Sequence, residues 1–120
     1  MKLGVPKEPE GETRVGIVPT SMKKLTKAGF EVFIEKGAGM SANYSDADYE
    51  AAGAKISTRE VVLACENLVC IRFPGVDGIG AGTNLACVSD PFRNPEYVKA
   101  CMDSKITLFL FEMKLPSSNA

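Results

Sequence analysis

Apolar and polar residues along the chain form two alternating kinds of segment. After a short apolar start at residues 2–5, compact apolar runs occur at residues 32–34, 54–56, 68–71, 85–88 and 106–111. Runs of this length with few charges are typical of strands buried on both faces of a parallel sheet. Between several of them, apolar residues recur at helical spacing, as at Met22, Leu25 and Ala28.

Residues that favour helix ends frame four helical segments. Pro19 suits the first turn of the first segment, and Gly29 suits its C-terminal end. Capping boxes at Ser45 and Ser57 predict the starts of the second and third segments, and Asn94 predicts the start of the fourth. Alternating strands and helices with short connections predict an α/β fold, a flavodoxin-like doubly wound layer of about five mainly parallel strands with helices on both faces.

The composition is that of one globular domain. The chain has 120 residues, of which 45% are apolar, enough for one core and too few for two ordinary domains. Fourteen basic residues against fifteen acidic ones give a net charge of −1, so we expect no nucleic-acid partner. The absence of histidine excludes a Ser-His-Asp or Cys-His hydrolase acting alone and removes the commonest metal ligand.

The four cysteines indicate a reducing compartment. Cys65, Cys70 and Cys87 lie in apolar stretches, and Cys101 lies on an apolar helix stripe. They form no Cys-x-x-Cys pair and have no histidine beside them, so the sequence predicts buried, reduced thiols and no zinc site. No signal-peptide pattern and no bilayer-length apolar run is present, which predicts a soluble domain in the cytoplasm or the mitochondrial matrix.

A loop with glycines at positions 75, 78, 80 and 82 invites comparison with a dinucleotide-binding turn. The run 78–83 has threonine where G-x-G-x-x-G requires its third glycine. The loop also leads into the predicted strand 85–88, whereas a phosphate-binding turn opens a helix whose N-terminus faces the phosphate. We therefore predict a surface loop, with phosphate binding as the disfavoured alternative and no cofactor-binding residue within this chain.

Three charged residues follow predicted strands at the carboxyl edge of the sheet, where open α/β sheets bind ligands. Arg14 closes the polar loop after the first strand, Arg72 ends the strand 68–71, and Asp90 follows the strand 85–88. Together they could line one crevice in which a guanidinium holds a carboxylate by two hydrogen bonds. The alternatives are an ordinary surface arginine and a solvated Arg–Asp pair of little energetic value. No catalytic residue and no metal site is predicted.

Seven short motifs occur in a fixed order over nearly the whole chain. They are Gly-Val-Pro-Lys-Glu at residues 4–8, Glu-Thr-Arg-Val at 12–15, and the segments 27–32, 35–39, 45–49, 52–54 and 94–96. Together they resemble the N-terminal domain of the alanine dehydrogenase and pyridine nucleotide transhydrogenase family.

This resemblance implies a longer polypeptide. Residues 1–115 would form its N-terminal domain, and residues 116–120 the stub of a linker to an absent Rossmann domain that binds NAD(H). The chain described here, without that domain, would not bind NAD(H) tightly. In the family a final segment returns to the first domain, so its removal should leave an apolar patch on the sheet. The implied partners are the missing NAD-binding domain, the membrane and NADP-binding components of a transhydrogenase at the membrane face, and a second copy in a homodimer or other self-association.

The resemblance also assigns positions. Alanine dehydrogenases hold pyruvate with an arginine, a lysine and a histidine, whose positions match Arg14, Arg72 and Asp90 here. Transhydrogenases resemble this chain in having an arginine at the lysine position and no histidine. The sequence therefore favours the transhydrogenase branch, which transfers hydride between NAD(H) and NADP(H) and couples it to proton translocation. It departs from that branch at Ser117, where the family has an arginine, and in residues 90–95.

Two other functions remain open. Asp90, Ser117 and the abrupt end favour a non-catalytic standalone remnant that binds a small carboxylate or a partner protein. The weaker alternative is an alanine dehydrogenase.

Overall fold

The computed structural model describes residues 1–110 and contains one sheet with flanking helices. The strands are β1 (Lys2–Val5), β2 (Glu31–Glu35), β3 (Lys55–Ser57), β4 (Asn67–Cys70), β5 (Asn84–Cys87) and β6 (Thr107–Leu110). The helices are α1 (Met22–Lys27), α2 (Asp46–Ala51), α3 (Arg59–Leu63) and α4 (Pro95–Asp103). The predicted domain boundary at residue 115, the linker 116–120 with Ser117, and Phe111 of the last predicted strand lie outside the described residues.

The six strands pair in the order β3-β2-β1-β4-β5-β6, and every pairing is parallel. The predicted α/β class and the doubly wound parallel sheet are confirmed. The sheet has six strands, against the prediction of about five, and the apolar start at residues 2–5 is one of the two central strands. The order is that of doubly wound dinucleotide-binding folds rather than the 2-1-3-4-5 order of flavodoxin, because the chain winds outward to β3 and then returns to place β4 beside β1.

Alternate strand residues face two separate cores, which places helices on both faces as predicted. The first core lies mainly on β1 and β2 under α1, α2 and the segment 15–17; it contains Leu3, Val5, Val15, Ile17, Met22, Val32, Ile34 and Tyr49. The second lies mainly on β4 and β5 under α3 and α4; it contains Phe33, Val62, Leu63, Leu68, Cys70, Leu85, Cys87 and Cys101. None of the helices in residues 1–110 is long and apolar enough to cross a membrane.

One of the predicted helix starts needs correction. The box at Ser45 forms as expected, since Ser45 Oγ accepts a hydrogen bond from the Asp48 amide and Asp48 accepts one from the Ser45 amide. The start of α3 is capped by Thr58 and not by Ser57, because Ser57 is the last residue of β3. The start of α4 is confirmed, since Asn94 occupies its N-cap position, although the Asn94 side chain makes no capping hydrogen bond.

The connection between β4 and β5 contains no helix. Residues 71–83 cross over on the side of the second core, where Val76 and Ile79 pack against it. On the opposite face, the register partners Val69, Ala86 and Phe109 form a row that no described helix covers. This row, called here the uncovered strip, lines a groove of about 320 Å³ together with Phe30, and Phe109 is 49% exposed. Among the described residues, this strip is where the apolar patch expected from the sequence would lie.

Candidate functional site

The candidate site lies where the carboxyl ends of β1 and β4 meet. In this strand order the direction of winding reverses between these two strands. Ligands of open α/β sheets bind in the crevice outside the carboxyl ends at this switch point. The loop after β1 and the segment after β4 therefore supply the side chains that a ligand at this edge of the sheet would contact.

Glu8 fixes the loop after β1 across the end of β4. Its carboxylate accepts hydrogen bonds from the backbone amides of Ile71 and Arg72, both at 2.9 Å. Burial raises the pKa of Glu8 above its usual value, against the lowering effect of these two hydrogen bonds. The contact brings residues 8–14 next to Arg72, which sequence spacing alone does not do.

One buried carboxylate holds both predicted arginines. Glu12 Oε2 accepts hydrogen bonds from Arg14 Nε at 2.9 Å and from the Arg14 amide at 3.0 Å, and Oε1 accepts from Arg14 Nη2 at 3.1 Å. Arg72 Nε donates to the same Oε1 at 2.8 Å. The Glu12 side chain is 3% exposed, whereas those of Arg14 and Arg72 are 50% and 56% exposed. We call these three residues the arginine cluster.

The arginine cluster is permanently ionised near neutral pH. Hydrogen bonds from Arg14, with a smaller contribution from Arg72, lower the pKa of Glu12 to about 2. The same pairing raises the pKa of Arg14 above its already high value. Because both guanidiniums are about half exposed, the N–H groups that Glu12 does not occupy remain open to a carboxylate, phosphate or carbonyl oxygen.

Asp90 does not join the arginine cluster. Its carboxylate accepts a hydrogen bond from the Phe92 amide at 2.9 Å and lies 3.5 Å from Arg93 Nε. It shares with Arg72 a cleft of about 260 Å³, lined also by Phe73, Ser89 and Tyr97. Among the contacts of residues 1–110, Arg72 and Asp90 form no ion pair; Arg72 pairs with Glu12 instead. The structure therefore brings Arg14 and Arg72 together and leaves Asp90 on the far wall of a neighbouring cleft.

A second cleft opens at the switch point itself. This cleft, the switch-point cleft, has a volume of about 310 Å³, and its lining includes Lys7, Glu35, Arg59, Cys70 and Arg72. Arg59 Nη1 donates to Glu35 Oε1 at 2.9 Å, and the same oxygen accepts from the Lys7 amide. Arg72 lines both clefts, so it is the shared wall between them.

The glycine loop runs from β4 into β5 without opening a helix. Gly75, Gly78 and Gly82 have φ of +83°, +81° and +89°, which are turn conformations suited to glycine. The loop therefore presents no helix N-terminus for a pyrophosphate. Within residues 1–110 no group of three or more Cys, Asp or Glu side chains is placed to hold a metal ion.

Glu12 is the site residue that the sequence interpretation missed. The Glu-x-Arg spacing from Glu12 to Arg14 lies inside a polar loop, where a glutamate is expected to be exposed. A buried glutamate needs a partner, and the only hint in the sequence was the presence of two arginines at the same edge.

Among known proteins, this chain is similar to one family of domains and to enzymes of two kinds. The model of the alanine dehydrogenase/PNT N-terminal domain matches residues 4–120. An NAD(P) transhydrogenase subunit alpha of Cereibacter sphaeroides is 34% identical over 119 residues, which cover 94% of this chain and 23% of that protein. An alanine dehydrogenase of Methanococcus maripaludis is 35% identical over 118 residues, covering 93% of this chain and 32% of that protein.

The structural comparison agrees. A transhydrogenase from Sinorhizobium meliloti matches with a TM-score of 0.87 and 28% identity, covering 99% of this chain and 37% of the other. The chain thus spans about a quarter to just over a third of the proteins it matches.

Proposed function

This chain belongs to the alanine dehydrogenase/PNT N-terminal domain family, and from that premise we propose that it is the N-terminal part of an NAD(P) transhydrogenase α-subunit. Its role would be one wall of the NAD(H) cleft, in a protein that transfers hydride between NAD(H) and NADP(H) and couples this transfer to proton translocation. The observation that carries the proposal is the arginine cluster. Arg72 stands at the position where the resemblance places the lysine of alanine dehydrogenases, and its Nε donates a hydrogen bond to Glu12.

The chemistry of the arginine cluster supports positioning rather than proton transfer. A guanidinium paired with a carboxylate of pKa about 2 neither releases nor accepts a proton near neutral pH. Amination of pyruvate needs groups that move protons at the substrate, and Arg14, Glu12 and Arg72 offer none. Hydride transfer between two nicotinamides makes no such demand, because the bound cofactors supply the hydride chemistry.

The residues of this chain fit the wall of an NAD(H) cleft and not its phosphate site. Pyrophosphate binding requires backbone amides at a glycine turn that opens a helix, and the glycine loop leads into β5 instead. The exposed N–H groups of Arg14 and Arg72 can donate to oxygen atoms of a ligand at the switch point. The phosphate-binding turn would then belong to the further domain that the resemblance implies.

Partners follow from the same proposal. The chain spans 23% of the Cereibacter transhydrogenase subunit, which leaves room for the NAD-binding domain in one polypeptide. NADP-binding and membrane components would complete the assembly and place this domain at a membrane face.

Alanine dehydrogenase is the second candidate, because the Methanococcus relative is as similar to this chain as the transhydrogenase relative is. In that function Arg14 would hold the carboxylate of pyruvate.

Two assays on the full-length polypeptide that carries this domain separate the two candidates. With its NADP-binding and membrane partners, we expect it to form NADPH from NADH and NADP⁺. With pyruvate, ammonium and NADH, we expect no oxidation of NADH. Ammonium-dependent pyruvate reduction without NADPH formation would overturn the proposal in favour of alanine dehydrogenase.

The 120-residue chain alone is expected to bind NADH no more tightly than about 1 mM, a free energy of about 4 kcal/mol. Two partly exposed arginines supply about 1–3 kcal/mol of charge-assisted hydrogen bonding, and micromolar binding needs about 8 kcal/mol. Calorimetric titration with NADH measures this. A dissociation constant below about 100 μM would show that the glycine loop binds phosphate after all.

We also expect the isolated chain to self-associate through the uncovered strip. Phe109 lies 49% exposed beside the half-buried Val69 and Ala86, and contact with a second copy would remove this apolar surface from water. Phe109→Ser should lower the weight-average mass in sedimentation equilibrium. Met102→Ser, which removes a 72% exposed residue from α4, is the matched control and should leave it unchanged. Equal masses for the two variants would place the contact elsewhere.

A further inference from the structure

Cys70 and Cys87 form a thiol pair at the carboxyl ends of two neighbouring strands. They end β4 and β5, they are register partners in neighbouring parallel strands, and both belong to the second core. Their Sγ atoms lie 3.8 Å apart, and both side chains are 1% exposed or less. Register partners in adjacent strands lie about 4.7–4.9 Å apart, within the Cα separation of about 4.4–6.8 Å that disulfides span.

The other two cysteines are not placed in this way. Cys65 Sγ contacts the carbonyl oxygen of Val61 at 3.6 Å, and Cys101 lies on α4. Among the contacts of residues 1–110, neither has a sulfur atom as a hydrogen-bond partner. They therefore serve as internal controls for any chemistry of the pair.

Cys70 belongs to the lining of the switch-point cleft, although only 1% of its surface is exposed. This lining brings Cys70 together with the cations of Lys7, Arg59 and Arg72. The hydrogen bond to Cys87 and burial raise the pKa of Cys70, while the charge of Arg59 opposes them. The thiol is thus protonated at neutral pH, and its reaction with an electrophile in the cleft should accelerate as the pH rises.

We propose that Cys70 and Cys87 are a reversible disulfide-forming pair that is oxidised by hydrogen peroxide entering the switch-point cleft. The Cys70 thiolate attacks one peroxide oxygen, the O–O bond breaks, and a sulfenic acid forms on Cys70 as the first water leaves. The Cys87 sulfur then attacks the Cys70 sulfur, an S–S bond replaces the S–O bond, and the second water leaves. Two thiols and one peroxide thus give one disulfide and two waters, and the peroxide gains the two electrons that the sulfurs lose. A dithiol reductant reverses the step.

The pair lies directly beneath the candidate site. Arg72 follows Cys70 by two residues, and Asp90 follows Cys87 by three. The backbone already ties these strand ends together, since the Val88 amide donates to the Cys70 carbonyl oxygen at 3.0 Å. The disulfide would shorten the sulfur separation from 3.8 Å to about 2.05 Å, at the ends of the two strands that lead to Arg72 and Asp90.

Peptide mapping of the folded 120-residue chain tests the proposal. The chain is treated with hydrogen peroxide at graded pH, blocked with an alkylating agent, and digested with trypsin and a glutamate-specific protease. Cleavage after Glu66 and Arg72 places Cys65, Cys70 and Cys87 on separate peptides. We expect one cross-link, between the peptides 67–72 and 73–93, with Cys65 and Cys101 alkylated and the cross-link lost after treatment with dithiothreitol. Its rate should rise by about tenfold per pH unit below the thiol pKa.

Two variants make the outcome decisive. Cys87→Ser should stop at a Cys70 sulfenic acid that a dimedone reagent captures, whereas Cys101→Ser should cross-link at the rate of the unchanged chain. A chain that keeps its native circular dichroism spectrum and forms no cross-link overturns the proposal. A cross-link to Cys65 or Cys101, or one that forms only in urea, overturns it as well, because it would arise from the unfolded chain.

Discussion

Replacing Glu12 by alanine is expected to dismantle the arginine cluster and to lower the free energy of unfolding by about 1–3 kcal/mol. The variant removes the acceptor of the Arg14 amide and of both guanidiniums, and leaves two neighbouring cations without the carboxylate that bridges them. Urea unfolding followed by circular dichroism measures the loss. In the full-length protein, the proposed hydride transfer should fall by at least about tenfold, since a wall of the cleft loses its order.

Glu10→Ala is the matched control for this prediction. Glu10 lies in the same loop and is exposed, so its removal should change the free energy of unfolding by less than about 0.5 kcal/mol. If both variants were equally stable, the cluster would contribute nothing and Glu12 would be one more surface carboxylate.

The pH dependence of the same contact has a definite sign. The pKa of Glu12 is about 2 in the folded chain, below its ordinary 4.5, so its contribution to stability is complete above about pH 4.5 and is lost as the pH falls towards 2. In Glu12→Gln this part of the acid sensitivity should be absent. Subtracting the two profiles of unfolding free energy between pH 4.5 and 2.5 isolates Glu12, because the other carboxyl groups are common to both.

Replacing Gly4 by alanine is expected to destabilise the domain by about 3 kcal/mol or more. An added Cβ at this β1 position would press on the carbonyl oxygen of Val62 in α3 and lie 2.8 Å from Leu68 Cδ2. The backbone of α3 cannot yield without leaving the second core, where Val62 is fully buried. Thermal unfolding should show a midpoint lower by at least about 10 °C, at roughly 4 °C per kcal/mol.

Gly80→Ala provides the comparison. It is the same substitution in the glycine loop, where the new Cβ would have its nearest neighbour, Thr83 Oγ1, at 4.0 Å. Its backbone is outside the left-handed region, so alanine is tolerated and the midpoint should stay within about 3 °C. A similar drop in both variants would mean that α3 does not approach β1 as closely as described.

Local signals in the sequence were sufficient for most of the fold. The apolar runs located the strands, and the Ser45 box located α2, because both depend on residues that are close in the chain. The box at Ser57 was wrong by one residue because pairing of β3 with β2 draws Ser57 into the sheet. The order of the strands depends on the chain returning after β3 to place β4 beside β1. The periodicity of apolar residues in the sequence does not indicate this.

The candidate site was only partly predictable for the same reason. Arg14 and Arg72 could be placed at one edge of the sheet, since each follows a strand. Their contact depends on Glu8 and Glu12, which become neighbours of Arg72 only when the loop after β1 folds across β4. Asp90 was predicted to share their crevice. It lines a cleft with Arg72 but not with Arg14, and its carboxylate bonds to the Phe92 amide and lies near Arg93 instead of joining the arginine cluster.

The contacts of Glu8 and Glu12 with Arg72 join residues 64 and 60 positions apart, and this separation has a kinetic consequence. Closing a loop of that length costs conformational entropy before the contact at its ends stabilises the chain. Such contacts therefore slow folding. They cannot form until β1 and β4 have paired, whereas the Ser45 cap and the turns of α2 need only their neighbours. The charged site is therefore completed late, on a sheet that is already in place. Substitutions at Glu12 should then act mainly by speeding unfolding, with little change in the rate of folding.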